Sequence, residues 1–337
     1  MKTLMSVILI LIFFSKEVAF AKSPQINLIR YYHVTDYEKG MVFSGGKLWV
    51  NRYFSVPHHE VKFVEIYDRD TNEVKNLVLP HEAKFLHKFG DGILVVGPIS
   101  GNISWRYTII DKDLTQTTHV LNNIGVTQNF VGDPNQIYFS NHDKIERHFP
   151  GPLTILSPAL NGAGQMLFDS ERNKAYILER ERMHGAMNLA VLDFSKETVN
   201  RTWPGSALVK IEDIKLVSGK ILLADSRNNK LDVIDAESGG IINNLSIDGI
   251  VALEVLGNCV LALSKQQKRI SFLEERSGFF YPVGFWDYSN DSDVGPFSDI
   301  VVNQSKNEIF VRSGILNCGS TRPCKGISQI KYNDTYL

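Results

Sequence analysis

Ser218–Leu245 reads SGKILLADSRNNKLDVIDAESGGIINNL, and its pattern decides the fold. Ile221–Ala224 is an unbroken apolar run, the signature of a strand covered on both faces. Leu231, Val233 and Ile234 stand beside Asp232 and Asp235, closer to the alternation of a half-buried strand. Ser218-Gly219, Asn228-Asn229 and Asp235-Ala236-Glu237-Ser238-Gly239-Gly240 separate or close the runs. Asp bonds its own downstream backbone N–H groups and Gly supplies positive φ, so these clusters are turn chemistry. The stretch is predicted to be three strands of an antiparallel meander, with no room for a helix of ordinary length.

Two landmarks from this stretch recur along the chain. A polar or Gly turn followed by an apolar run appears at Gly45–Val50, Asp91–Val95, Pro134–Phe139, Arg172–Ile177, Ser218–Leu222, Gly257–Leu261 and Lys306–Phe310. An alternating strand that ends in an acidic residue and a turn appears at Val64–Val74, Tyr107–Thr117, Leu189–Val199, Leu231–Ile241 and Ile270–Phe280. The spacing of about 40–45 residues is that of a four-stranded propeller blade. About seven copies are counted from the first landmark. The third departs, because Lys144–Pro150 (KIERHFP) lacks the acidic turn. The last lacks an outer strand after Ile327–Tyr332, and Gln25–Val34 (QINLIRYYHV) is predicted to supply it. The expectation is therefore all-β: a seven-bladed β-propeller of four-stranded antiparallel blades, with its ring closed by an N-terminal strand in the last blade. Such closure removes a free sheet edge.

Pro296–Val311 (PFSDIVVNQSKNEIFV) and Leu231–Gly239 (LDVIDAESG) resemble the repeats of YVTN/NHL-type β-propellers. The Gly-His and Trp-Asp signatures of WD40 propellers, the more distant relatives, are absent from the chain. The resemblance spans nearly all of residues 22–337. It implies the fold and leaves function open, since that superfamily hosts scaffolds, ligand binders, lactonases and cofactor enzymes; function has to come from a site.

The N-terminus stands apart from the repeats. Met1-Lys2 is positive, Leu4–Phe14 is almost wholly apolar, and Ala19-Phe20-Ala21 fits a small-residue cleavage site. Residues 1–21 read as a secretory signal peptide and 22–337 as one propeller domain, secreted or periplasmic. The apolar run is shorter than the roughly 20 residues of a spanning helix, and no later stretch is long and apolar enough to span. In a eukaryotic secretory pathway Asn102, Asn200 and Asn244 would be glycan acceptors.

Of the 337 residues, 43% are hydrophobic and 22% charged, enough to bury a core. A formal net charge of −1 with scattered Lys and Arg gives no footprint for nucleic acid. Of the 3 Cys, Cys318 and Cys324 flank a short turn-rich loop and are expected to form a disulfide in an exported chain. Cys259 lies in an apolar run and is expected to be a buried free thiol. No metal, no cofactor and a monomer are expected.

In a four-stranded blade counted outward from the channel, the turns between strands one and two and between three and four share one face of the ring. The connections between strands two and three, and from one blade to the next, share the other. The first set here is short and glycine-rich, whereas the second is longer and more varied, which is where function usually sits on a rigid scaffold. That loop face would gather His58, His59, Glu60, Trp105, Arg106, His142, Asp143, His184 and Arg227. Imidazole with carboxylate suits a transition metal, and Asp287, Asp291 and Asp293 are hard oxygen donors without the EF-hand spacing. A solvated loop for the His-His-Glu group and an exposed turn for the Asp-rich connection are the favoured readings, and Trp105 and Arg106 fit a ligand contact or a packed loop base equally. Glu254 is a candidate to project from an inner strand into the channel, and a solvated or paired carboxylate is the favoured reading. No G-x-S-x-G, H-E-x-x-H or phosphate-loop motif occurs. The reading is an exported module that binds an unidentified protein or small-molecule ligand, with no enzymatic residue assigned. The alternative is a metal-dependent, lactonase-like hydrolase with a site in the central channel.

Overall fold

The computed structural model describes residues 26–32, 40–51, 62–71, 73–99, 104–121, 130–133, 136–141, 144–149, 154–155, 163–180, 187–196, 198–201, 211–288, 294–315 and 324–331. Apart from one turn of 3-10 helix at Gln304–Lys306, its regular structure is β. Six blades each use four consecutive antiparallel strands. Blade I holds Met41–Ser44, Lys47–Asn51, Phe63–Asp68 and Val74–Val78; blade II holds Phe85–Phe89, Gly92–Pro98, Trp105–Ile110 and Gln116–Leu121. Blade III holds Phe130–Asp133, Gln136–Asn141, Lys144–Phe149 and a two-residue outer strand, Thr154–Ile155. Blade IV holds Ala163–Asp169, Lys174–Arg180, Met187–Asp193 and Thr198–Arg201. Blade V holds Ile211–Val217, Lys220–Asp225, Lys230–Asp235 and Ile241–Ser246; blade VI holds Ile250–Leu256, Cys259–Ser264, Arg269–Arg276 and Phe279–Asp287.

The expected count of seven repeat blades is thereby corrected: six blades, not seven, are unbroken four-strand repeats. The landmark behind the count marks only the hairpin of the two inner strands. It recurs in Val294–Asn303 and Glu308–Ile315, but a single further strand, Cys324–Lys331, follows there. That remaining sheet is a composite of the two ends of the chain. Ile26–Tyr32 lies along Cys324–Lys331, with Ile26 opposite Ile330 and Tyr32 opposite Lys325.

The first strand of each blade lies innermost and meets the first strand of the next, and Val294–Asn303 bridges blades VI and I. Neighbouring sheets share apolar clusters. Trp49, Ile66, Ile93 and Ile110 pack between blades I and II, Leu222, Val233, Leu253 and Phe280 between V and VI, and Leu48, Val50, Phe310 and Ile327 between the composite sheet and blade I. Fully burying one such side chain is worth about 1.5–3 kcal/mol over leaving it exposed, so packing between sheets adds to the hydrogen-bonded ladders in holding the ring.

The acidic landmark is a turn cap. Asp68 Oδ1 accepts the N–H groups of Asp70 (2.9 Å) and Thr71 (3.1 Å), and Asp235 Oδ1 those of Glu237 (3.2 Å) and Ser238 (2.7 Å). Asp111 and Asp193 do the same in blades II and IV. These bonds favour the ionised carboxyl. The bond from Thr71 holds Asp68, and that from Ser238 holds Asp235, below the usual carboxylate value. On the same face the inner turns interlock. Gly45 adopts a φ of 56°, and a Cβ there would collide with the carbonyl oxygen of Asp91 in the next blade's turn.

Candidate functional site on the inner strands and the loop face

Register places one residue of successive inner strands at the same level. Val42, His87, Leu167, Lys215, Glu254 and Val301 lie opposite Trp49, Leu94, Tyr176, Leu222, Leu261 and Phe310, each the third residue of its second strand. The preceding residues, Met41, Leu86, Met166, Ile214, Leu253 and Ile300, are buried between sheets. Val42, His87, Leu167, Lys215 and Glu254 stay half-exposed. On an innermost strand, that side lines the channel. Its wall is apolar at blades I and IV and charged at blades V and VI.

The charged part is built from facing carboxylates and one ammonium. Lys215 Nζ donates to Glu254 Oε2 at 3.1 Å. Asp213, two residues earlier on the same strand, accepts the N–H of Ile214 (3.0 Å) and that of Leu253 in blade VI (2.8 Å). Asp299 accepts the N–H of Ile300 (3.0 Å), and Glu254 Oε1 that of Val255 (3.0 Å). The inner strands expose an unpaired edge, and their buried N–H groups need acceptors; these carboxylates supply them. Burial works against the charge of Lys215, but Glu254, Asp213 and Asp299 outweigh it and raise its pKa. His87 has the opposite balance, and burial pulls its pKa down to about 4. Among the described residues, no group of three or more His, Cys, Asp or Glu side chains could hold a metal ion.

Of the residues singled out from sequence, His58, His59, Glu60, His142, Asp143, His184, Asp291, Asp293 and Cys318 lie outside the described residues. Cys324 opens a strand, but its side chain, and with it the expected disulfide, also lies outside them. Cys259 is a buried free thiol, raised in pKa by burial. Asp287 is held by Arg269 through two bonds of 2.7 and 3.0 Å. Trp105 stands at the loop end of its strand but belongs to the core at 6% exposure. It stacks on Phe85 at 6.2 Å, with Lys84 Nζ 5.4 Å from its ring centre.

Arg106 is half-buried, and its Nε has no hydrogen-bond partner among the described residues. Near it, His81 Nδ1 donates to the Glu82 carbonyl (2.7 Å), and its Nε2 bonds Thr108 Oγ1 (2.8 Å). Burial, assisted by the Arg106 charge, lowers the His81 pKa even though the Glu82 carbonyl favours the proton. Arg227 is exposed on a stiff turn. Asp225 accepts the N–H groups of Arg227 (3.1 Å) and Asn228 (3.0 Å), and Ser226 donates to Glu212 on the inner strand at 2.9 Å.

Sequence reasoning flagged Glu254 and missed Asp213, Lys215 and Asp299. Counting back from the end of each inner strand would have found the two aspartates, since Asp213 and Asp299 both stand four residues before it.

No protein-family model matches the sequence, and no curated protein matches it either. Solved structures do resemble it. The β-propeller domain of Cps50 (Swd1) from Myceliophteria thermophila superposes with a TM-score of 0.59 at 11% identity, over 90% of this chain and 99% of that one. BamB from Moraxella catarrhalis gives 0.50 at 10% identity, over 85% and 82%. A putative 6-phosphogluconolactonase from Bacteroides uniformis gives 0.50 at 13% identity, over 71% and 81%. What the chain shares with them, and with its own internal repeats, is the fold: it is a β-propeller.

Proposed function

We propose that this propeller is a binding module that engages a protein or small-molecule ligand on its loop face, at or near the channel mouth. The observation that carries this reading is the engagement of the inner carboxylates. Asp213, Glu254 and Asp299 accept backbone N–H groups, and Lys215 pairs with Glu254. Carboxylates committed to holding neighbouring strands are poorly placed to gather a catalytic metal, which disfavours the lactonase-like alternative. The stiff turn that presents Arg227 supports recognition at the loop face. Purified protein should take up no stoichiometric Ca2+ or Zn2+ and hydrolyse no sugar lactone. Stoichiometric metal together with lactone hydrolysis that Glu254→Gln abolishes would overturn the reading.

The repeats fit the YVTN/NHL type within the propeller fold, on Leu231–Gly239 and Pro296–Val311. The module is assigned to the outside of the cytoplasm, with cleavage after Ala21 and a Cys318–Cys324 disulfide. Mass spectrometry of the exported chain tests both. A mature protein that begins at Met1, or one with both thiols free, contradicts the respective claim.

A further inference from the structure

We propose that the seam between blades II and III is a proton-sensitive joint, at which protonation of His148 loosens blade III from the ring. Tyr107 of blade II stacks on His119 of its own outer strand at 4.8 Å. Its other neighbours are Phe139 and His148 of blade III, at 5.2 and 6.3 Å. Phe139 and His148 meet edge to face at 5.0 Å. Both imidazoles therefore belong to one aromatic stack that spans the seam, and apolar Leu121 and Ile137 surround it.

Among the described residues, these charged and titratable groups face His148. Glu146, on its own strand, accepts a bond from Nε2 at 3.3 Å. Across the seam stand His119 and the phenol of Tyr107, which burial pushes up to about 12 and so keeps neutral. A charged His148 would lie against the aromatic rings of Tyr107 and Phe139, where charge is poorly solvated. Burial already lowers the His148 pKa and the nearby His119 lowers it further, while Glu146 opposes both.

Amide exchange followed by mass spectrometry, corrected for intrinsic rates, tests this on the full chain. Between pH 7.5 and 5.5, exchange in Gln136–Phe149 should rise roughly tenfold, while Lys220–Asp235 of blade V stays unchanged. The double change His119→Phe and His148→Phe should remove the local rise. Glu146→Gln, which keeps both imidazoles, should move the midpoint to lower pH, because His148 then loses the group that favours its proton. Acid-induced exchange that is uniform around the ring, that persists in the double variant, or whose midpoint ignores Glu146→Gln would overturn the proposal.

Discussion

The guanidinium of Arg69, in a turn of blade I, grips the carboxylate of Glu308 on the composite sheet, with Nη2 2.8 Å and Nε 3.4 Å from its two oxygens. Glu308 is buried and also accepts from Asn303 (2.9 Å) and Gln329 (2.6 Å). Beside it, Lys306 Nζ reaches Asp70 at 2.6 Å. This latch closes the seam where the two ends of the chain join the first unbroken blade.

Removing one partner of a buried pair leaves an uncompensated charge, at a cost of about 3 kcal/mol or more. Arg69→Leu should therefore lower unfolding stability by about 3 kcal/mol. Lys306→Ala, which breaks an exposed pair, should change it by less than about 1 kcal/mol. Denaturant titration of both variants checks this, and equal effects would contradict the latch.

The strand Ile26–Tyr32 completes the composite sheet. A chain lacking it leaves Cys324–Lys331 with an open edge. Deleting residues 22–34 should sharply lower the melting temperature and promote aggregation. A variant that melts like the full chain would show that the ring does not depend on this strand.

Acid should weaken the fold well above the carboxylate range. His81, His87 and His148 are all held below the ordinary histidine value, His87 at about 4, mainly by burial. The unfolded chain then binds more protons than the folded one, so stability is full above about pH 6.5 and is lost as pH falls toward the folded values. Denaturation midpoints at pH 7.5, 6 and 4.5 should fall in that order, and His87→Phe should flatten the lower part of the slope. A midpoint that rises on acidification would contradict these environments.

Lys215 is the cation of the channel wall. Lys215→Met leaves Asp213, Glu254 and Asp299 without it and should cost about 2 kcal/mol, as for a hydrogen bond to a charged group. Because the carboxylates stay engaged by backbone N–H groups, millimolar Ca2+ should stabilise neither that variant nor the natural chain. Thermal melts with and without Ca2+ decide it, and stabilisation of the natural chain by Ca2+ would show that the wall already accepts a metal.

Much of the fold was legible because the repeat writes its turns in Asp and Gly. Asp68, Asp111, Asp193 and Asp235 all cap their turns. The blade count misled because a turn followed by an apolar run marks an inner hairpin, whether or not two further strands follow it. The channel wall was barely legible: Lys215 and Glu254 are a polar interruption in an apolar strand until register brings them together. For Trp105 the sequence leaves a ligand contact and a packed loop base open, and its burial against Phe85 selects the second.

The binding reading is tested most directly by a paired substitution panel, scored against whatever partner crosslinks to the protein in its native host. One panel changes His58, His59, His142, His184 and Arg227 to Ala; the other changes Lys47, Lys174 and Lys220, beside the tight turns of the opposite face, to Ala. The account predicts that the first panel loses at least about tenfold in affinity, some 1.4 kcal/mol, with folding intact, while the second binds normally. Loss confined to the second panel, or binding that neither panel alters, would contradict it.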